Sequence, residues 1–196
     1  MKKAFLLFGV LVSSFGVAQS RLTVADYVLA MPNDLRLVEN PELKTWIGNP
    51  KISEKLQRGC ATVNKNLQND YLSLVFGGCE PGSGDLNVYA LAVWRSVSSK
   101  TVFIGAQYGY STDFFASSLV FSSTTDGQKF RDVTNKILPM TALKNTFSKC
   151  KISFNEARYK IPQRGTSILV KGSENLEYSL DWNNKTNIFV LGKGKC

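Results

Sequence analysis

Ser117-Ser118-Leu119-Val120-Phe121-Ser122-Ser123-Thr124-Thr125-Asp126-Gly127-Gln128-Lys129-Phe130-Arg131-Asp132 is the stretch on which the fold turns. Leu119-Val120-Phe121 on one side and Phe130 on the other flank Asp126-Gly127. Asp-Gly supplies the left-handed backbone that reverses a chain between antiparallel strands. The segment therefore reads as a hairpin with strands over 117–122 and 129–132.

The same period of two runs outward in both directions. Upstream it marks strands over 61–64, 71–76, 88–95 and 101–110, separated by Gly77-Gly78, Pro81-Gly82-Ser83-Gly84 and Ser98-Ser99-Lys100. Downstream, a short helix over 141–147 follows Pro139, and strands over 157–161, 166–171, 176–182 and 187–191 come after it. Their turns fall at Gln163-Arg164-Gly165, Gly172-Ser173 and Asn183-Asn184. Short strands at such close spacing predict a mainly β (α+β) fold built on an antiparallel sheet system. A sandwich, a curved sheet and a partial barrel all satisfy the pattern.

Before Gly59 the signals are helical. Thr23 and Asp26 form a capping box on a short helix that Pro32 ends. Asn40-Pro41 opens a second helix carrying Leu43, Trp46 and Ile47, and Asn49-Pro50 leads into a third over 52–56. These short N-terminal helices, within 21–59, cannot form a bundle alone and are expected to pack across a sheet.

The first eighteen residues read differently. Lys2 and Lys3 precede an apolar run beginning at Ala4, and Gly16 and Ala18 supply small side chains for cleavage. The run is shorter than the roughly 20 residues that cross a bilayer. The expectation is a cleaved signal peptide over 1–18, then a single β-rich domain over 19–196, secreted or periplasmic and not membrane-spanning.

An oxidising compartment makes Cys60, Cys79, Cys150 and Cys196 candidates for two disulfides. Of the three connectivities, Cys60–Cys79 with Cys150–Cys196 is preferred, because each pair brackets its own strand-rich segment. The chain holds 24 Lys and Arg against 15 Asp and Glu. Removing residues 1–18 leaves 22 against 15, a charge of +7. The positive residues are scattered, without the run that marks nucleic-acid binding. An anionic envelope glycan, a lipid surface or another exported protein suits such a chain better. No histidine is present, which removes imidazole general bases and His-ligated metals. No cofactor or metal is expected.

Two constellations could carry function. Tyr108, Tyr110, Asp113, Phe114 and Phe115 form an aromatic patch with one carboxylate, suited to stacking on a sugar or an apolar ligand. Strict alternation sets Tyr108 and Tyr110 on the face of Val102, Ile104 and Ala106, with Gly105 and Gly109 on the other. Asp85, Asp113, Asp126, Asp132, Glu156 and Asp181 are the carboxylates from which a glycoside-hydrolysing pair could be drawn, though no spacing singles out two of them. Ser148-Lys149-Cys150-Lys151 matches S-x-x-K only formally, since its companion motifs are missing. Asn184-Lys185-Thr186 is a glycosylation sequon.

Phe130-Arg131-Asp132-Val133-Thr134-Asn135-Lys136-Ile137-Leu138-Pro139, preceded by Asp126-Gly127, resembles the F-x-D-V-T-x-x-I-L-P phrase of small exported bacterial proteins with no assigned function. Thr23 to Pro32 and Leu180-Asp181-Trp182-Asn183 are similar to such chains too. Val17-Ala18-Gln19 resembles signal-peptide ends in Gram-negative envelope proteins. The resemblance implies an exported bacterial β-rich domain and brings no active site; the cysteines lie outside it. The expected function is thus a non-catalytic binding or accessory domain of the envelope or extracellular space. The alternative is a carboxylate-dependent hydrolase acting on envelope or extracellular polysaccharide.

Overall fold

Consecutive strands pair with one another throughout, so the chain folds as two antiparallel meanders. The structure is a computed structural model that describes residues 21–32, 47, 61–76, 86–111, 115–173 and 175–196. After α1 (Val24–Ala30), the first sheet comprises β1 (Ala61–Asn66), β2 (Tyr71–Phe76), β3 (Leu86–Arg95), β4 (Val102–Ser111), β5 (Ser118–Thr124) and β6 (Arg131–Asp132), in that spatial order. Two helices follow, α2 (Thr134–Ile137) and α3 (Met140–Lys149). The second sheet holds β7 (Arg158–Lys160), β8 (Ser167–Lys171), β9 (Glu177–Asn183) and β10 (Ile188–Lys195), in spatial order β10-β9-β8-β7. Neither sheet closes into a barrel among the described residues, and residues of both share one core. Of the three architectures open to the sequence, stacked sheets is the one formed.

The first sheet is buried on both faces. Along β4, Val102, Ile104 and Ala106 join Leu72, Leu74 and Leu91 beneath Val24, Tyr27 and Val28 of α1. Phe103 on the alternate face joins Trp94, Phe121, Ile168, Leu180 and Phe189 of the inter-sheet core. Helix α1 starts as its sequence requires. The Thr23 side chain accepts from the Asp26 N–H, and the Asp26 carboxylate accepts from the Thr23 N–H at 2.7 Å. An ion cluster centred on the buried Asp70 fixes it to the sheet. Asp70, in a left-handed turn after β1 (φ 52°), pairs with Arg21 and takes Arg95 at 3.0 and 3.1 Å. Arg95 also donates to the Leu22 carbonyl (2.8 Å) and lies over the Tyr27 ring.

The inter-sheet core is aromatic at one end. Trp94 meets Phe121 at 5.4 Å and Phe189 at 5.5 Å, and Trp182 meets Phe103 and Phe189 at 5.0 Å each. Gly105 makes room for the first of these contacts. A Cβ there would stand 2.5 Å from a Phe121 ring carbon and 2.6 Å from one of Trp94.

Several boundaries differ from the sequence reading. The strand expected over 129–132 contracts to Arg131–Asp132. The Asp126 carboxylate captures the Lys129 and Gln128 N–H groups, both at 2.9 Å, before they can join a ladder. A four-residue helix, α2, appears where none was expected, because the Asp132 carboxylate accepts from the Thr134 N–H and the Thr134 hydroxyl accepts from the Phe121 N–H. Cys150 and Cys196 are bonded, with Cα atoms 5.5 Å apart, which ties β10 to the end of α3. Cys60, Cys79, the signal segment and the helices expected after residue 39 lie outside the described residues, apart from Ile47, which is buried under the first sheet.

Gly105→Ala should cost about 1–3 kcal/mol in urea denaturation through overpacking against the two rings; a neutral result would mean that the aromatic contact is not a constraint. The two backbone N–H groups hold the Asp126 carboxyl down to about 2. A depressed acid contributes stability above its ordinary range near 4 and loses it as pH falls through about 2. NMR titration of the Asp126 carboxyl carbon should show that low midpoint, and Asp126→Asn should remove the contribution at neutral pH. A midpoint near 4 would refute the loop geometry.

A candidate ligand-binding cleft

The largest side chains on the inner face of β3 and β4, Trp94 and Phe103, stand together at one end. β3 presents Trp94, Ala92, Ala90 and Val88, and opposite them β4 presents Phe103, Gly105, Gln107 and Gly109. β2 adds Tyr71, Ser73 and Val75 beside Ala92, Ala90 and Val88. Large rings therefore fill the space between the sheets at one end, and small side chains leave it open at the other. Over that open end lies β7, only three residues long, and the turn after it.

The result is a cleft of about 500 Å³, within the usual range for small-molecule sites. Its floor is Tyr71, Ser73, Val88 and Gln107, all buried, with half-buried Val75 beside them. Buried Ile161 forms the far wall. At the mouth stand Lys160 and Pro162, half-buried, with the exposed Gln163 and Leu169.

Each polar group of the floor is held. The Gln107 side-chain oxygen accepts from the Ile161 N–H, which anchors the far wall to β4. Burial pushes the Tyr71 phenol up, against the opposing effect of hydrogen bonds with the Ser73 and Gln163 side chains, so it stays neutral at physiological pH. A second tie joins the walls beside the mouth. Ala116 and Tyr159 exchange backbone hydrogen bonds of 2.9 and 2.8 Å. Burial of the Tyr159 ring raises its phenol to about 12. The Lys160 and Lys171 ammonium groups stand 5.3 and 4.4 Å from the centre of the Phe115 ring.

The residues singled out from sequence are dispersed. Tyr108 stacks on its cross-strand partner Tyr89 at 6.2 Å, on the face covered by α1. Tyr110 pairs with Asn87 near the end of β4. Asp113 and Phe114 lie outside the described residues. Phe115 is buried, and the Lys160 ammonium stands over its ring. The carboxylates are dispersed as well: Asp126 and Asp132 cap their own turns, and Asp181 accepts from Ser179. Asp85 and Asp113 are outside the described residues. No group of three metal-binding side chains gathers among the described residues.

Sequence reading missed the cleft because its residues come from five strands and the turn after β7, and most carry no reactive group. The usable signal was the Trp-Ala-Ala-Val size pattern of β3, which needs the β3–β4 register before it means anything. Fold and cleft together define a two-sheet antiparallel domain with a ligand-sized opening between its layers. Comparison with known proteins goes no further: no protein family, curated protein or solved structure matches the chain.

Gln107→Met keeps the volume and removes the acceptor, leaving the buried Ile161 N–H without its partner. The expected loss is about 1–3 kcal/mol, with faster amide exchange at Ile161. Unchanged exchange there would show that Gln107 does not hold the wall.

Proposed function

We propose that this chain is an exported, non-catalytic binding domain that takes a small, largely apolar ligand in the cleft between its two sheets. The observation that carries the reading is the cleft itself: a buried, mainly apolar floor with a few fixed polar groups and an exposed mouth. The positive n-region and apolar run of residues 2–18 support export to the periplasm or beyond. A cleft of this size suits a small molecule better than an extended glycan, so among the partners compatible with the charge, a lipid-like one is favoured. No helix among the described residues is long and apolar enough to cross a membrane. The phrases shared with small exported bacterial proteins agree with an accessory role in the envelope.

The test uses N-phenyl-naphthylamine, a neutral apolar fluorophore. The mature protein should bind it at one saturable site, and Val75→Phe, which fills the cleft, should abolish binding with little change in melting temperature. If that variant proves unstable, Leu169→Trp at the exposed mouth serves the same purpose. Absence of saturable binding by the wild type would remove the reading.

A further inference from the structure

We infer that the ligand is a single-chain anionic amphiphile, its anionic head against the Lys160 ammonium at the mouth and its apolar chain along Val75, Val88 and Ile161. This rests on the cleft being a ligand site and assigns the ligand's chemistry and direction.

Charge placement gives the head group. Lys160 is the one charged side chain among the described residues lining the cleft. It does not stand alone: Lys171 shares the Phe115 ring with it, and Arg158 is the cross-strand partner of Lys171. The Arg158 guanidinium donates to the carbonyls of Asn155 and Ala157. β7 and β8 thus carry three cations as neighbours, with Glu177 opposite Lys171 on β9, and of the three Lys160 lines the opening, where its charge favours an anion.

Desolvation gives the direction. An ion placed on the floor would lose water among Val88, Ile161 and a neutral phenol, a cost that hydrogen bonds from Tyr71 and Ser73 would not offset. At the mouth the head keeps water on one side and meets the ammonium on the other. The floor then takes methylenes, each tightening binding about four-fold until the space is full.

Strand register supplies a clean test. Leu169 is exposed and directly opposite Lys160 across β7 and β8, so Leu169→Glu puts a carboxylate beside the proposed head position without disturbing the core. Dodecanoate, dodecanol and dodecyltrimethylammonium, each below its aggregation concentration, compete with N-phenyl-naphthylamine on the mature wild type, Leu169→Glu and Lys160→Met. Near-UV circular dichroism checks that the variants are folded. Dodecanoate should bind at least about ten-fold tighter than the other two, as expected for a charge-assisted contact. Both substitutions should erase that advantage, weakening dodecanoate by a larger factor than dodecanol or the fluorophore. If the fluorophore binds but dodecanoate has no advantage, or keeps it in both variants, the head-group assignment is wrong and the cleft remains a binding site. If the fluorophore itself finds no site, both fall.

Discussion

The contact of Trp94 with Phe121 across the bare backbone of Gly105 is the constraint on which the arrangement of layers depends. Stacked sheets stand about 10 Å apart, a gap that side chains must fill. Here five rings fill it at one end, and the Trp94 indole N–H reaches across to the Thr166 carbonyl at 3.1 Å, fixing the start of β8 against the end of β3. A side chain at 105 would drive the two rings apart and lift the second sheet. With the spacing set at that end, the opposite end inherits it. Ala90, Ser73 and Val88 are too small to reach the facing layer, so an opening forms there as a consequence of strand register.

The other face of the first sheet obeys a different rule. The α1 layer rests on Val24, Tyr27 and Val28, a small apolar contact for seven residues. Its position is specified by the Asp70–Arg95 pair, to which Arg21 and the Leu22 carbonyl attach. A buried ion pair adds little net stability compared with apolar packing, but it tolerates few alternative geometries. The helix is thus held in one place by a group whose main effect is specificity. The cleft lies on the opposite face of the sheet.

This division explains what was legible in the sequence. Strict alternation and turn chemistry located nearly every strand, because both are local. The Thr23–Asp26 capping box, four residues long, was legible for the same reason, whereas the Cys150–Cys196 bond spans 46 residues and was legible from segment bracketing. Alternation also set Tyr108 opposite the glycine face of β4, where the structure has it. The function of those glycines was not legible. Gly105 is occupied by rings from β3 and β5, and that fact exists only after three strands are in register. The aromatic run of 108–115 drew attention because aromatic side chains carry chemical meaning singly, whereas Ser73, Val75 and Val88 acquire theirs only together. Asp126 misled on strand length because a side-chain acceptor competed successfully with the ladder for two N–H groups.

Magnitudes also decide what kind of space the cleft is. At about 24 cal/mol per Å³, a sealed apolar void of about 500 Å³ would cost ~12 kcal/mol, as much as the whole stability of many domains. A space of that size persists only where it communicates with water or is occupied. The polar groups of the cleft meet the first condition: the Tyr71 hydroxyl, Ser73 and Gln163 give water its partners at the floor and mouth. Its apolar floor makes that water easy to displace, since Val75, Val88 and Ile161 offer it no hydrogen bonds. The Ala116–Tyr159 bridge, the Gln107–Ile161 bond and the Trp94 clamp keep the walls from collapsing inward. An opening that is braced on both sides, wetted by few groups and lined mostly by apolar surface is preorganised for an apolar body, because little conformational freedom remains to be lost on binding.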